Sequence, residues 1–547
     1  MKNVKRLLCL GAVFAMVLSM ALLTSCKEKP FILPNDKYIE FPIEKNVKFT
    51  WWYDYDDTYY TGDFAKLEDH PFMKELQQKS NVSIEFVRPT SSGGTLGDLS
   101  SELNSLIAAG DMTDLVTHGS YTPSYEGSSI DALIDNEIYQ GLNDFIDMQM
   151  PNFNALREEY SVIDKVIVTG QGNILWIPRL NNMTSYQNPT LTGGMVVRKD
   201  LLDEIQFLSE DGVSNYPVTI RDWERMLEQF QLIGVQNPVS IFMGYGWVTF
   251  TGDVFLSAWD VKVELYRDPE TGAVAYGAMS DGFYQYMQLM NRWYSNGWLG
   301  NNNLTVDQKT AANFVGSWFG SADDVANLAK QSDNPNYELI GVPDPVLEVG
   351  DKIVMRDSLL PLGTAARDNV FVAYDCENGP LACRLLDEFY TQEAYDRTSY
   401  GIKDTDYTDN GDGTITFTDK IKNNPDGIRY GVYQNAFLES FWRDPDVLVK
   451  YVYEQNVLDA IAQWSKSSCE YSFMDRGALA FTEEEQAMLD GVSDIYGPVA
   501  LSSRSIVTGD AGVGLEQWDE YVAGVRETGI EEYVEVMQSA WDRFLAN

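Results

Sequence analysis

Apolar residues recur along this chain with two periods. Alternation at Val82, Ile84 and Phe86 in "NVSIEFV" predicts a strand, and "NVKFTWWYDY" before it reads as another, running into a polar, Tyr-rich loop. Between them "HPFMKELQQKS" predicts a short helix, with Pro71 suited to its first turn. Leu96, Leu99, Leu103, Leu106 and Ile107 keep helical spacing, Gly110 is placed to end that helix, and "TDLVTHG" follows as a short buried strand. Strands parted by helices predict an α/β sheet, whose ligands gather in a crevice beyond the strand ends.

The pattern starts again after "GNILWIP" at 172–178. "GGMVV" reads as a strand and "RKDLLDEI" as a helix. "TIRDWERMLEQFQ" reads as a second helix, opened by a Thr219–Asp222 capping box, with Trp223, Met226, Leu227 and Phe230 on one face. A helix over Ser280 to Asn296 turns Phe283, Met287, Met290 and Tyr294 inward. The last two, "GLEQWDEYVAGVRE" and "IEEYVEVMQSAWDRFL", are amphipathic and divided at Gly529. In "YTDNGDGTITFTD", 407–419, Asn410-Gly411 and Asp412-Gly413 predict a hairpin turn; the spacing of a calcium-binding EF-hand loop is not met. Two α/β lobes and a helical C-terminal region account for the 547 residues.

The N-terminus follows neither period. Lys2, Lys5 and Arg6 precede an uncharged run from Leu7 to Leu23, and small or polar residues lead to Cys26, the pattern of an export signal. An uncleaved spanning helix is the alternative, since the run sits at the lower edge of spanning length, roughly 17 residues. The polar stretch to about Lys37, with Pro30 and Pro34, reads as a tether.

Composition narrows the partners. With 40 basic against 82 acidic residues, net charge −42, the surface repels phosphate backbones, which disfavours nucleic acid. Five cysteines include Cys9 in the signal and Cys26, leaving Cys376, Cys383 and Cys469, a poor disulfide framework. Cys376 and Cys383 are the only near pair, and Cys383 falls on an apparent helix where it packs as a small apolar side chain.

Leu23-Thr24-Ser25-Cys26 resembles the lipobox of bacterial lipoproteins, in which the signal is cut before the cysteine and that residue is acylated. "LIAAGDMTDLV", "GNILWIPR", "GGMVVRKDLLDEI" with "YPVTIRDWERML", and the block from "SIVTGDAGVG" to "AWDRF" resemble, in that order, segments of extracellular solute-binding lipoproteins of carbohydrate ABC transporters. The matched blocks run from about Val47 to the C-terminus. The resemblance implies a periplasmic-binding-protein type II fold, two lobes hinged to close on an oligosaccharide or glycan fragment for delivery to membrane permeases. By the same analogy, the signal takes 1–25 and the tether 26–37. Lobe 1 takes 38–178 and 348–402; lobe 2 takes 179–347, and 403–547 completes it with the C-terminal helices. Many members carry an acidic, calcium-site-like loop where this chain reads "LIGVQNPVSIF". That stretch has no carboxylate, so no metal or other cofactor is expected there.

Sugars offer an apolar C–H face and a rim of hydroxyls, so aromatic rings and fixed polar groups are the candidate contacts. Among 13 Trp and 31 Tyr, position selects. Tyr53 ends the first strand nearest its loop, on the face opposite Trp52. His118 ends the "TDLV" strand. Trp247 lies in the Gly-rich "GYGWVTF", and Trp318 in "FVGSWFGS" corresponds to a strand-end stacking platform of sugar-binding relatives. Tyr186 lies just beyond the "WIP" crossing and Trp442 in "ESFWRD". Core packing is the alternative for the rings, and a plain surface residue for His118. Arg198 is expected to pair locally with Asp200 or Asp203 at a helix start.

A surface-anchored glycan hydrolase or lyase is the rival class, since two suitably spaced carboxylates could stand anywhere among 82. Against it, there is no G-x-S-x-G, H-E-x-x-H or Walker loop, and His70 and His118 are the only imidazoles. A non-enzymatic, monomeric binder at the outer face of the cell membrane is the expectation. Presentation to a sensor in place of a permease, or a peptide ligand, would leave the fold unchanged.

Overall fold

The computed structural model describes residues 33, 36–55, 66–92, 96–118, 131–169, 171–181, 192–241, 254–300, 304–353, 369–424, 441–444, 446–466, 479, 481–491 and 496–546. Two five-stranded sheets organise it. In spatial order the first holds Val82–Val87, Val47–Tyr53, Leu115–His118, Asn369–Val372 and Trp176–Ile177. The second holds Leu299–Gly300, Val239–Ser240, Ser317–Ser321, Gly193–Arg198 and Leu339–Gly341.

The two sheets follow one plan. Each has three parallel strands, with the earliest of them in the middle of the three. Beside them runs an antiparallel strand that follows, along the chain, a strand of the other sheet: Asn369–Val372 in the first sheet and Gly193–Arg198 in the second. A further strand pairs antiparallel to that one and closes the edge. This is the two-lobe α/β architecture expected from the alternation of strands and helices.

Burial follows the sequence periods. In lobe 1 Phe49, Trp52, Leu103, Ile146, Phe153, Phe371 and Leu385 share one core. In lobe 2 the strand Gly193–Arg198 sends Met195 and Val197 into a core with Trp223, Phe230 and Met287, while Val196 enters a second core with Trp318, Ile461 and Trp464. The helix Gln455–Ser465 lies close on that second face. A Cβ on Gly194 would come 2.3 Å from the Trp464 ring, and one on Gly341 2.7 Å from Ala460, so glycine is what admits the helix.

Several expected elements stand where the spacing puts them. The helix Ile220–Leu232 opens with the reciprocal Thr219–Asp222 capping box and buries Trp223, Met226, Leu227 and Phe230. Helix Pro71–Ser80 has its proline in the first turn. Helix Leu96–Ala109 is followed by Gly110 at φ +64°. The strands Tyr407–Asp409 and Ile415–Phe417 pair as the expected hairpin. The tail breaks at Gly529, φ +88°, between helices Trp518–Arg526 and Ile530–Ala546.

One inward assignment is corrected. In helix Asp281–Ser295, Phe283, Met287 and Met290 are buried, but Tyr294 is 37% exposed. In the last turn the buried stripe passes to Trp293, on the line of Tyr286, Leu289 and Met290. Cys376 and Cys383 are both free and buried, and Cys383 does sit on a helix, Gly379–Asp387. Burial pushes the Cys376 thiol up to about 12, so it stays protonated. Among the described residues no helix is long and apolar enough to cross a membrane.

Candidate ligand cleft

Strand directions locate the cleft. The chain leaves lobe 1 after Ile177, on the side where the parallel strands of that sheet end, and enters lobe 2 at Gly193, which is registered beside Ser321 at the end of its own parallel strand. It returns after Gly341 and re-enters lobe 1 at Asn369, registered beside His118. Each crossing therefore joins carboxyl ends to carboxyl ends. The crevice beyond the carboxyl ends of its strands is where an α/β fold binds its ligand.

A two-stranded ribbon marks the crossing. Leu180–Asn181 runs parallel to Trp442–Arg443, and the Leu180 amide donates to the Phe441 carbonyl at 2.5 Å. Just before it, the Tyr390 hydroxyl donates to the Pro178 carbonyl, and burial lifts that phenol well above its usual range. The Thr398 hydroxyl donates to the Trp442 carbonyl at 3.0 Å. The ribbon is thus fastened to lobe 1.

Tyr53 and Trp442 are linked through successive residues of the crossing segment. The Arg179 guanidinium donates to the Tyr53 phenolic oxygen at 2.5 Å, and Leu180, the next residue, is registered with Trp442. The Tyr53 ring is stacked on Trp51 at 6.1 Å and meets Tyr55 at 6.0 Å. Trp442 is half-buried, its ring 4.6 Å from Tyr395. Arg179 was not singled out from sequence. Its signal was a basic residue directly after "WIP" in a chain with half as many basic as acidic residues.

His118 and Trp318 are as enclosed as Tyr53, at 3% and 2% exposure against 4%. His118 is stacked on Phe371 at 4.2 Å and 2°, with Nε2 3.0 Å from the Tyr139 hydroxyl. Trp318 is 2% exposed; its indole donates to Asp324 at 3.2 Å, and Lys309, 5.7 Å from the ring, pairs with the same carboxylate. Arg198 pairs with Asp200 at 2.6 Å, as expected of a helix start, and also caps the Ala311 and Ala312 carbonyls. Tyr186, Trp247 and Cys26 lie outside the described residues. Beside the return crossing a cavity of about 480 Å³ opens among Tyr216, Pro343, Asp344, Lys352 and Lys466. Among the described residues no group of three or more His, Cys, Asp or Glu is placed to hold a metal ion.

The class these features define is a two-lobed α/β fold whose lobes are joined at the carboxyl ends of their sheets. No protein-family model matches the sequence, and no curated protein does. Solved structures match along almost the whole chain. The alginate-binding protein AlgQ2, without calcium ion, has a TM-score of 0.68 at 18% identity, covering 92% of this chain and 100% of its own. An HMO-binding, ABC-transporter-associated solute-binding protein from Bifidobacterium longum infantis ATCC 15697 has 0.68 at 15%, covering 91% and 98%. The S. pneumoniae substrate-binding protein FusA in complex with kestose has 0.67 at 15%, covering 92% and 100%. The chain has the fold of ABC-transporter solute-binding proteins.

Proposed function

We propose that this chain is a lipid-anchored, extracytoplasmic solute-binding protein that captures an oligosaccharide or glycan fragment between its lobes and delivers it to ABC-transporter permeases. One observation carries the reading: the outward and return crossings, after Ile177 and before Asn369, join the carboxyl ends of two sheets built on one plan, in a fold shared with proteins named for alginate, HMO and kestose. The chain acts as a binder and performs no reaction on its ligand.

In this reading Tyr53 and Trp442 form part of the lobe 1 wall, with Arg179 holding the Tyr53 hydroxyl in place. Tyr186 and Trp247 supply further rings, and His118 and Trp318 act through the packing that holds the strand ends. Lobe closure gains ligand contacts that the open form lacks, which is the only source of its driving force. Cys26 carries the lipid.

A thermal-shift screen of the body from Lys27 onward, against neutral and acidic oligosaccharides and short peptides, tests the proposal. A saturable rise with an intact sugar is expected, about 2.7 kcal/mol of stabilisation at a hundred times the dissociation constant. A response to peptides alone overturns the carbohydrate assignment. Breakdown of a sugar by the purified protein overturns the binder.

A further inference from the structure

The residues that follow Cys26 are read from sequence as a tether, yet the later part of that stretch is docked. The Leu33 amide donates to Asn378 Oδ1 at 3.1 Å. The Ile39 amide donates to Gln149 Oε1 at 3.0 Å, and the Gln149 amide group returns a bond to the Lys37 carbonyl at 2.9 Å. Arg384 Nε donates to the Ile39 carbonyl at 3.1 Å, while its guanidinium lies over the rings of Phe41, at 4.3 Å, and Tyr38, at 5.1 Å. The Ile43 amide bonds the Ser80 carbonyl at 3.0 Å, and Asn81 bonds the Ile43 carbonyl at 2.9 Å. Ile39 and Ile43 belong to the lobe 1 core, with Leu33 and Phe41 packed against it.

The place of docking is specific. Asn378 follows the strand Asn369–Val372, which runs against the parallel strands, and Ser80 and Asn81 precede Val82 at the start of one of them. Both ends of this strap therefore lie where the parallel strands of lobe 1 begin, the pole opposite the cleft. Seven residue steps separate Cys26 from Leu33, and an extended chain gains at most about 3.6 Å per residue, so Cys26 lies within roughly 25 Å of Leu33. A lobe of this kind is itself some tens of Å across.

We propose that the docked strap makes the amino pole of lobe 1 the membrane-facing end of the anchored protein and turns the cleft away from the bilayer. The inference rests on Cys26 being the lipid anchor. Releasing the strap as far as Val47 would triple the number of residue steps between Cys26 and the nearest docked residue, so its undocking is what would let the cleft mouth swing down toward a permease.

Energy transfer to acceptor lipids tests this. A donor is placed at exposed Glu377→Cys, on the amino pole of lobe 1, or at exposed Leu232→Cys, which precedes a parallel strand on the far pole of lobe 2, each with Cys469→Ser. On vesicles carrying the lipidated full protein, transfer from position 377 is expected to be several times stronger than from 232. Arg384→Ala should reduce the contrast. So should a flexible Gly/Ser insertion of about fifteen residues after Lys29, which leaves the folded body untouched. Equal transfer from both positions in the otherwise unaltered chain overturns the proposal. Failure of the protein to float with vesicles, or to take up labelled palmitate at Cys26, overturns the anchor reading instead. The same donors on nickel-chelating vesicles, with six histidines replacing the residues before Lys27, then still read which pole faces the lipid.

Discussion

Arg179 and Tyr53, 126 positions apart in sequence, meet in a 2.5 Å hydrogen bond that ties the crossing segment to the end of the first strand. Both are largely buried, Arg179 at 9% and Tyr53 at 4% exposure. Bonds to a charged donor in such a setting stabilise by about 1.5–3 kcal/mol.

Tyr53→Phe keeps the ring on Trp51 and removes only the acceptor. A loss of about 1.5–3 kcal/mol in urea-induced unfolding is expected. An unchanged midpoint would mean that Arg179 is equally well satisfied elsewhere.

Trp318 and Trp442 should separate stability from binding. Trp318→Ala empties a site 2% exposed and should cost about 3–5 kcal/mol of folding stability. Trp442→Ala, half-buried on the ribbon, should cost less stability and weaken glycan binding about tenfold, read by calorimetric titration. The reverse ranking in both measurements would move the contact ring from Trp442 to Trp318.

Gly194→Ala sets a Cβ 2.3 Å from the Trp464 ring, and a destabilisation of about 1–3 kcal/mol is expected from overpacking. Gly524→Ala, inside helix Trp518–Arg526 with nothing within 4 Å, should instead stabilise by about 0.5–1 kcal/mol. Melting temperatures of the two variants moving in the same direction would refute this account of why Gly194 is glycine.

Acid should unfold the protein in part through His70. Burial first, and Arg397 second, lower its imidazole from 6.5 to about 3, and its Nδ1 accepts the Phe72 amide at 3.3 Å as a neutral cap. A base depressed in the folded state takes its proton first in the unfolded chain. Its stabilisation is complete above pH ~6.5 and is lost as pH falls toward 3, about 2 kcal/mol of it by pH 5. Asp387, raised by burial, opposes this trend, so the comparison that isolates His70 is with His70→Asn, which keeps a cap acceptor. Stability curves of equal slope between pH 6.5 and 4 for both proteins would exclude the effect.

The local plan was legible wherever one period and one terminating residue agreed. Thr219, Asp222 and the four apolar residues of their helix needed no knowledge of the rest of the chain. The same held for Asn410 to Gly413 in their hairpin. What sequence does not display is a partner far along the chain. Arg198 looked like a local cap to Asp200, and it is one, but its full burial also depends on Ala311, Ala312 and Tyr337. Tyr53 could be placed at a strand end by alternation, whereas its bond to Arg179 required the crossing to be folded. Residues 33 to 37 read as the end of a polar tether because Asn378 and Gln149, which hold Leu33 and Lys37, give no periodic signal.

The interleaving of the two sheets also governs when each can assemble. Lobe 1 lacks the strand Asn369–Val372, which lies between Leu115–His118 and Trp176–Ile177, until about two-thirds of the polypeptide has appeared. Until then its third parallel strand presents an open edge, the kind of surface on which chains pair wrongly with one another. Lobe 2's sheet, by contrast, is drawn wholly from residues 193–341, though its helical cover comes later. A chain crossing a membrane before it folds would thus complete the sheet of its second half from one continuous stretch, while the first half waits for a strand delivered from beyond it.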